Sequence, residues 1–344
     1  MEKVLVSEVL YAQGHKRLNE KYVKCIAKNF EVYLLDDGDY FTSLKNEDNI
    51  RIINFAPLHV KRVEMLKTLS NAWNLSRIAS IAKKHGISNV VLLSFHTLGF
   101  NLVKKHFADL NVCVVHHYEI DRMVQNPMEI LKFNKYKDSI KHCVLEEFIK
   151  KGLCERFNIE SKRVFTINTP VDVIENMADA PSENIFIGIG QSTDPTLIDE
   201  LIKIDKNIED NVRGKIILRS KNKTYDGKHV TVFTGFLDKD EYDELYRTAT
   251  ACIIKYESTY DLRSSGSIDD AFRNHKKVLV TGFPAGKAYS VMYPQNCIWI
   301  DNIEDIVKLL NSNPEPYNEQ EGLLFEQSHS FSNVENQWKR AIME

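Results

Sequence analysis

Short apolar runs alternate along this chain with stretches of helical spacing, a pattern that predicts parallel doubly wound sheets covered by helices on both faces. Lys3 to Leu10 reads as a first strand, and Leu18, Tyr22, Cys25 and Ile26 set one apolar stripe on a helix reaching Phe30. EVYLLD follows as a strand, then Arg51 to Phe55, Asn89 to Phe95 and Asn111 to His116, with Val60 to His85 largely helical between them. A helix from Glu146 to Phe157 and the short strand RVFTIN close this half. The same alternation resumes at IFIGIG (Ile185 to Gly190), with Thr196 to Ile204 helical and Lys215 to Arg219 a strand ending in a loop. At 344 residues the chain is long for one core and comfortable for two domains. Pro170 stops the last strand of the first half, and the polar stretch VIENMADAPSEN reads as a linker. The expected division is a domain over 1–172, a linker over 173–184 and a second domain over 185–330. A terminal helix over 331–344 then carries Val334, Trp338 and Ile342 on one face.

The most informative stretch runs from Tyr256 to Pro284. Ser264, Ser265 and Ser267 are N-cap residue types, and Gly266 among them lets a ligand approach the backbone closely. Ile268, Ala271 and Phe272 then form an apolar stripe on a helix ending near Asn274, and KVLVTG is a buried parallel strand. A helix start reached through Ser and Gly presents free N–H groups that suit a diphosphate. Asp269 and Asp270 in the first turn fit two roles: complement to the helix dipole, with a Ser267–Asp270 capping box, or contact with a nucleotide. Arg219 and Lys221 leave a strand end where open α/β sheets bind ligands, and Arg263 stands beside the Ser/Gly turn. The G-x-G of IFIGIG lacks the third glycine of a dinucleotide fingerprint.

Val230 to Glu257 reads strand, Thr-Gly turn, acidic helix start, helix and strand, and is followed by S-G-x-x-x-D-A and a second short strand. In that order it resembles the carboxy-terminal domain of GT-B glycosyltransferases of the retaining glycogen-synthase and mannosyltransferase type. Thr169-Pro170-Val171-Asp172, after a helix and the RVFTIN strand, resembles the end of the amino-terminal domain in the same family. The resemblance implies two Rossmann-like domains facing a crevice, and a UDP- or GDP-linked sugar as donor. It also implies a terminal helix that crosses back onto the first domain. Asp270-Ala271 stands where the family's second Glu and its Ala would be, which implies contact between Asp270 and the ribose. The position of the first Glu is Leu262, leaving Asp261 or Glu257 as replacements. Gly14 resembles the family's first-loop glycine, and a His at the end of a v-x-x-H strand implies His117, or His116, near the donor sugar.

From the residues themselves, NVCVVHHYEID concentrates His116, His117, Glu119 and Asp121 after a buried strand, where a ligand edge is expected. Imidazole can position a hydroxyl near neutral pH and a carboxylate can accept its proton. The D-x-D strings Asp37-Gly38-Asp39 and Asp238-Lys239-Asp240 lie in polar loops and read as solvated turns, so no metal and no organic cofactor is expected.

A net charge of −3 argues against nucleic acid as partner. Six scattered cysteines without C-x-x-C spacing read as reduced thiols, and KVLVSEVL follows Met1-Glu2 with no secretory signal pattern, so a cytoplasmic protein is expected. Lys132, Lys135, Lys137 and Lys141 with Phe133 and Tyr136 form a candidate basic, aromatic patch for the inner membrane face. The function these features point to is sugar transfer to a glycan or lipid-linked acceptor in cell-surface polysaccharide synthesis. A sugar-nucleotide epimerase and a catalytically weak scaffold subunit of a glycan-assembly complex stand as alternatives.

Overall fold

A computed structural model describes residues 1–10, 15–38, 40–60, 63–172, 182–190, 194–207 and 212–344. Gly14, Asp39 and most of the expected linker, 173–181, lie outside the described residues. The chain divides into two compact units. The first holds Met1–Pro170, Leu262–Ser264 and Ser328–Glu344, and the second Val171–Asp261 and Ser265–Gln327.

The first unit is built on β1 (Lys3–Glu8), β2 (Glu31–Asp36), β3 (Ile50–Asn54), β4 (Asn89–Ser94), β5 (Asn111–Val115), β6 (Lys141–Val144) and β7 (Val164–Thr166). They pair in parallel in the order β3-β2-β1-β4-β5-β6-β7. A sheet covered on both faces needs apolar residues on both, and this one has them. Leu5, Leu35, Leu92 and Val114 face Leu75, Ile78, Phe100 and Phe133. Val4, Val32, Val91 and Cys113 face Tyr22, Ile26, Val334 and Trp338. Trp338, wholly buried, explains why the terminal helix Phe331–Met343 belongs to this unit: its stripe has nowhere else to leave water. Asn111 Nδ2 and Lys141 Nζ donate to the helix's last carbonyls, Ile342 at 2.7 Å and Ala341 at 3.0 Å. Strand β6, KHCV, has no strand-like pattern, and its His142 is buried because a second imidazole receives it.

The second unit is built on β8 (Ile185–Gly188), β9 (Lys215–Ser220), β10 (Tyr225–Asp226), β11 (Val230–Thr234), β12 (Ala251–Lys255), β13 (Lys277–Thr281) and β14 (Cys297–Trp299). Their order is β10-β11-β9-β8-β12-β13-β14, and β10 with β11 is the antiparallel pair. Asp205, at the end of the helix Pro195–Asp205, fixes that hairpin. Its carboxylate accepts from Tyr225 Oη at 2.8 Å and from the backbone N–H groups of Lys228, His229 and Val230 at 2.8–3.1 Å.

In each unit the strand order reverses once, between β1 and β4 and between β8 and β12. The carboxyl ends flanking such a reversal are where doubly wound sheets bind ligands. No described helix is long and apolar enough to cross a membrane, and the six cysteines are free.

Candidate functional site

In the second unit the reversal is lined by glycine and hydroxyl groups. Gly188 ends β8 where a Cβ would strike Leu218 Cδ2 at 2.6 Å and the Ile253 carbonyl at 3.2 Å. Two residues on, a Cβ on Gly190 would lie 2.8 Å from Ser267 Oγ. Glycine therefore lets the first loop lie directly against the start of the helix Gly266–Arg273. A shallow, partly open pocket is lined there by Gly188, Gly190, Tyr246, Ile254, Tyr256 and Ser267.

The cap of that helix is Ser265, which is wholly buried. Its Oγ accepts from Ile268 N at 3.3 Å and meets Tyr256 Oη at 3.0 Å, while its N–H donates to Tyr289 Oη at 3.3 Å. With the cap at 265, Ile268 takes the third helical position, so the expected Ser267–Asp270 capping box does not form. The first N–H groups, Gly266 and Ser267, are those a helix cannot pair internally. A Cβ added at Gly266 would meet nothing within 4 Å. Asp269 is buried. Asp270 is half-exposed; it accepts from Tyr242 Oη at 3.0 Å and pairs with Arg273 at 3.5 Å. Burial and, after it, the Asp270 charge push the Tyr242 hydroxyl well above its ordinary range, so it remains a donor.

The candidate cations separate. Arg219, in β9, donates from Nε to the Gly235 carbonyl at 2.6 Å and lies 4.3 Å over the ring of Phe236, itself 78% exposed. Lys221 is exposed in the loop after β9. Arg263 belongs to the first unit, where its Nε sits 2.7 Å from Asp121 Oδ2, and Leu262 N donates to Asp121 Oδ1 at 2.8 Å. Leu262 is a core residue packed on Gly152, so a buried leucine holds the place that the resemblance gives to a first Glu. Glu257 is exposed.

In the first unit, β5 delivers two histidines to different places. His116 points back into the core, with Nε2 2.9 Å from His142 Nδ1 and its ring against Phe95 and Phe133. That direction takes its imidazole away from the ligand edge. His117 turns toward the edge: its ring stacks on His15, centroids 4.0 Å apart, and Nε2 lies 2.9 Å from the Leu93 carbonyl. A carbonyl only accepts, so Nε2 carries the proton and Nδ1 is the acceptor. Burial holds His117 down to about 4 and His15 to about 4, so both rings are neutral at physiological pH.

Glu119 opens the helix Glu119–Val124. Its Oε2 accepts from His117 N at 2.8 Å and Tyr118 N at 3.1 Å, while its buried Oε1 has no partner. Burial raises its affinity for a proton.

Glu8, at the end of β1, is absent from the sequence-derived set. Its carboxylate is wholly buried and accepts from Leu10 N at 2.9 Å, Asn19 Nδ2 at 2.7 Å and Ser94 Oγ. Burial lifts it to about 7 against those three bonds, which pull the other way. The signal in the sequence is a carboxylate closing an otherwise apolar strand, KVLVSE.

Two further expectations are met differently by the structure. Asp238 is exposed, as expected of a solvated residue, and also caps the helix Lys239–Thr248 in a full capping box with Glu241. The supposed basic, aromatic patch loses its aromatics, since Phe133 and Tyr136 are core residues, 0% and 2% exposed, with Tyr136 Oη bound to the Thr97 carbonyl. Two of its lysines are engaged, Lys137 with the Asn158 carbonyl and Lys141 with Ala341.

No protein-family model matches the chain, and no curated protein matches it by sequence. Solved structures do. A glycosyltransferase from Rickettsia africae superposes with a TM-score of 0.64 at 14% identity, over 100% of this chain and 99% of that one. UGT89C1 of Arabidopsis thaliana, complexed with UDP, gives 0.61 at 12% identity over all of both chains. WaaG, a glycosyltransferase involved in lipopolysaccharide biosynthesis, gives 0.54 at 12% identity, over 99% of this chain and 95% of that one. The fold is GT-B. At these identities the likeness is one of GT-B backbone, and what the GT-B frame does here rests on the residues it places at its two strand reversals.

Proposed function

We propose that this protein is a glycosyltransferase that moves a sugar from a UDP- or GDP-linked donor to a glycan or lipid-linked acceptor in cell-surface glycan synthesis. In this reading it works in the cytoplasm at the inner membrane face, retains configuration, and uses no metal ion or organic cofactor. The observation that carries the reading is the meeting of Gly190 with the capped N-terminus of Gly266–Arg273 at the strand reversal. Backbone N–H groups at such a start favour a diphosphate through direct bonds and the helix dipole. Asp270 takes the ribose hydroxyls, and Arg219 and Lys221 offset the charge that grows on the leaving diphosphate. His117, neutral and accepting at Nδ1, orients a sugar or acceptor hydroxyl, and the leaving phosphate takes the acceptor proton. The unpartnered Glu119 Oε1 is a second acceptor on the same strand end.

Calorimetry with UDP, GDP, ADP and CMP, followed by release of nucleoside diphosphate with and without acceptor, tests this. Asp270→Ala weakens nucleotide binding by about 1 to 3 kcal/mol, the range for losing a charged hydrogen-bond partner. His117→Ala lowers transfer by roughly 10-fold while nucleotide affinity survives. A wild-type protein that binds no nucleoside diphosphate, or one that releases it equally without acceptor, overturns the reading.

A further inference from the structure

Glu8 takes no part in the proposed transfer, yet it is wholly buried at the carboxyl end of β1, beside the strand reversal of the first unit. A carboxyl group in such a place costs desolvation that only well-placed donors can offset. Its donors come from three places in the chain. Leu10 N, just past β1, donates to Oε1 at 2.9 Å, and Ser94 Oγ, on the register partner of Glu8 in β4, donates to the same oxygen. Asn19 Nδ2, on the helix Lys16–Ala27, donates to Oε2 at 2.7 Å. Leu10 N also reaches Ser94 Oγ at 3.0 Å, which closes the set on the side of the sheet.

The same helix and the same strand end hold the ring of His117. Its Nε2 donates to the carbonyl of Leu93, the residue before Ser94. Its face lies on His15, the cap of the helix that carries Asn19. His15 and Asn19 are four residues apart and so lie on one side of that helix. Glu119 fixes the backbone of residues 117 and 118 and leaves the imidazole to these other neighbours.

We propose that Glu8 is the positioning residue of His117: by drawing Asn19 and Ser94 onto one carboxyl group it sets the helix Lys16–Ala27 against the end of β4, and with them the plane of the imidazole. What that imidazole does there rests on the transferase reading, whereas the positioning does not.

Protonation makes the arrangement readable. A carboxylate only accepts, and a carboxylic acid also donates. Asn19 Oδ1, buried and without a partner, becomes the acceptor for that proton once its amide turns over. Burial, working against the three hydrogen bonds, places the change at about pH 7. Glu119 faces Glu8 from the helix Glu119–Val124 and opposes its ionisation. Tyr40 meets it through Asn19, whose Nδ2 lies 3.3 Å from the tyrosine Oη, and burial keeps that hydroxyl protonated. Lys16 lies 5.9 Å over the Tyr40 ring, and Asp36 ends the neighbouring strand β2. His15 and His117 are themselves held to about 4, so a response of their rings between pH 6 and 8 reports a neighbour.

The test is nuclear magnetic resonance of the full-length protein, isotope-labelled at histidine, from pH 6 to 8, with His15→Gln and His117→Gln to assign the two rings. In the wild type both rings should stay neutral and shift together with a midpoint at about 7. Glu8→Gln keeps the shape and can donate to Asn19 Oδ1, so it should hold both rings at their low-pH positions throughout. Ser94→Ala removes a donor that favours the ionised form and should move the midpoint upward. A shift that persists in Glu8→Gln would belong to Glu119 and overturn the proposal. So would an unmoved midpoint in Ser94→Ala, or a wild-type His117 ring that does not respond, a result that requires no variant to fold. Calorimetry with UDP on the same samples keeps the two readings apart: a Glu8-dependent shift without UDP binding supports the positioning and fails the transferase.

Discussion

Replacing Ser265 by alanine is the sharpest test of the helix start that organises the second unit. The hydroxyl is wholly buried and does two things at once, accepting from Ile268 N at 3.3 Å and bonding Tyr256 Oη at 3.0 Å. Loss of a Ser N-cap costs about 1 kcal/mol. The tyrosine, 7% exposed, loses one neutral hydrogen bond worth about another 1 kcal/mol, while a second bond to Ser267 spares it full isolation. Ser265→Ala should therefore destabilise by about 2 kcal/mol, read from denaturant unfolding as a lower midpoint at unchanged slope. In the Tyr256→Phe background the second part vanishes, so the double-mutant cycle should return a coupling of about 1 kcal/mol. The Tyr289 bond to Ser265 N is a backbone contact and should persist in every variant. Fraying of the first turn also loosens Gly266 and Ser267, so UDP affinity should fall by roughly 10-fold. A loss of stability below about 0.5 kcal/mol, or strict additivity with Tyr256→Phe, would show that the cap and the tyrosine do not hold this turn.

Asp205→Ala should be more damaging, about 3 kcal/mol or more by denaturant unfolding, because it strands three backbone donors and a tyrosine hydroxyl that pin β10 and β11; a cost under about 1 kcal/mol would contradict it. Stability should also fall on acidification. His15, His96, His117 and His142 are held near 4 and His116 well below its ordinary value, chiefly by burial, so their neutral forms support the fold fully above 6.5 and that support is lost as pH drops toward 4. Each costs about 1.4 kcal/mol by pH 5.5, one unit below the unfolded value. Glu8, raised to about 7, acts oppositely, favouring the fold at low pH and losing that contribution as pH rises through 7. Glu119 and Glu129, also raised by burial, act as Glu8 does, but five imidazoles stand against these three carboxyls, so the unfolding midpoint should be lower at pH 5.5 than at pH 7.5, and a higher one would refute this balance.

The sheets were legible in the chain because a buried parallel strand must be apolar throughout, and NVVLL, NVCVV and KVLVT can do little else. The start of the helix at Ser265-Gly266 was legible for a similar local reason: cap chemistry is decided within four residues. The terminal stripe of Val334, Trp338 and Ile342 announced a helix that needed a partner, but only the fold showed that the partner is the face holding Tyr22 and Ile26. Where a side chain points at a strand end is not a local property. His116 and His117 are neighbours with the same chemistry, yet pleating sends one into the core against His142 and leaves the other stacked on His15. Glu8 stood out only as a carboxylate closing an apolar strand, because its altered acidity comes from burial, made by elements that only the fold brings around it. Phe133 and Tyr136 read as a surface patch and are core, while Leu69 and Trp73, equally apolar, are surface. Hydrophobicity fixes which residues seek shelter from water, and only tertiary packing decides which of them find it.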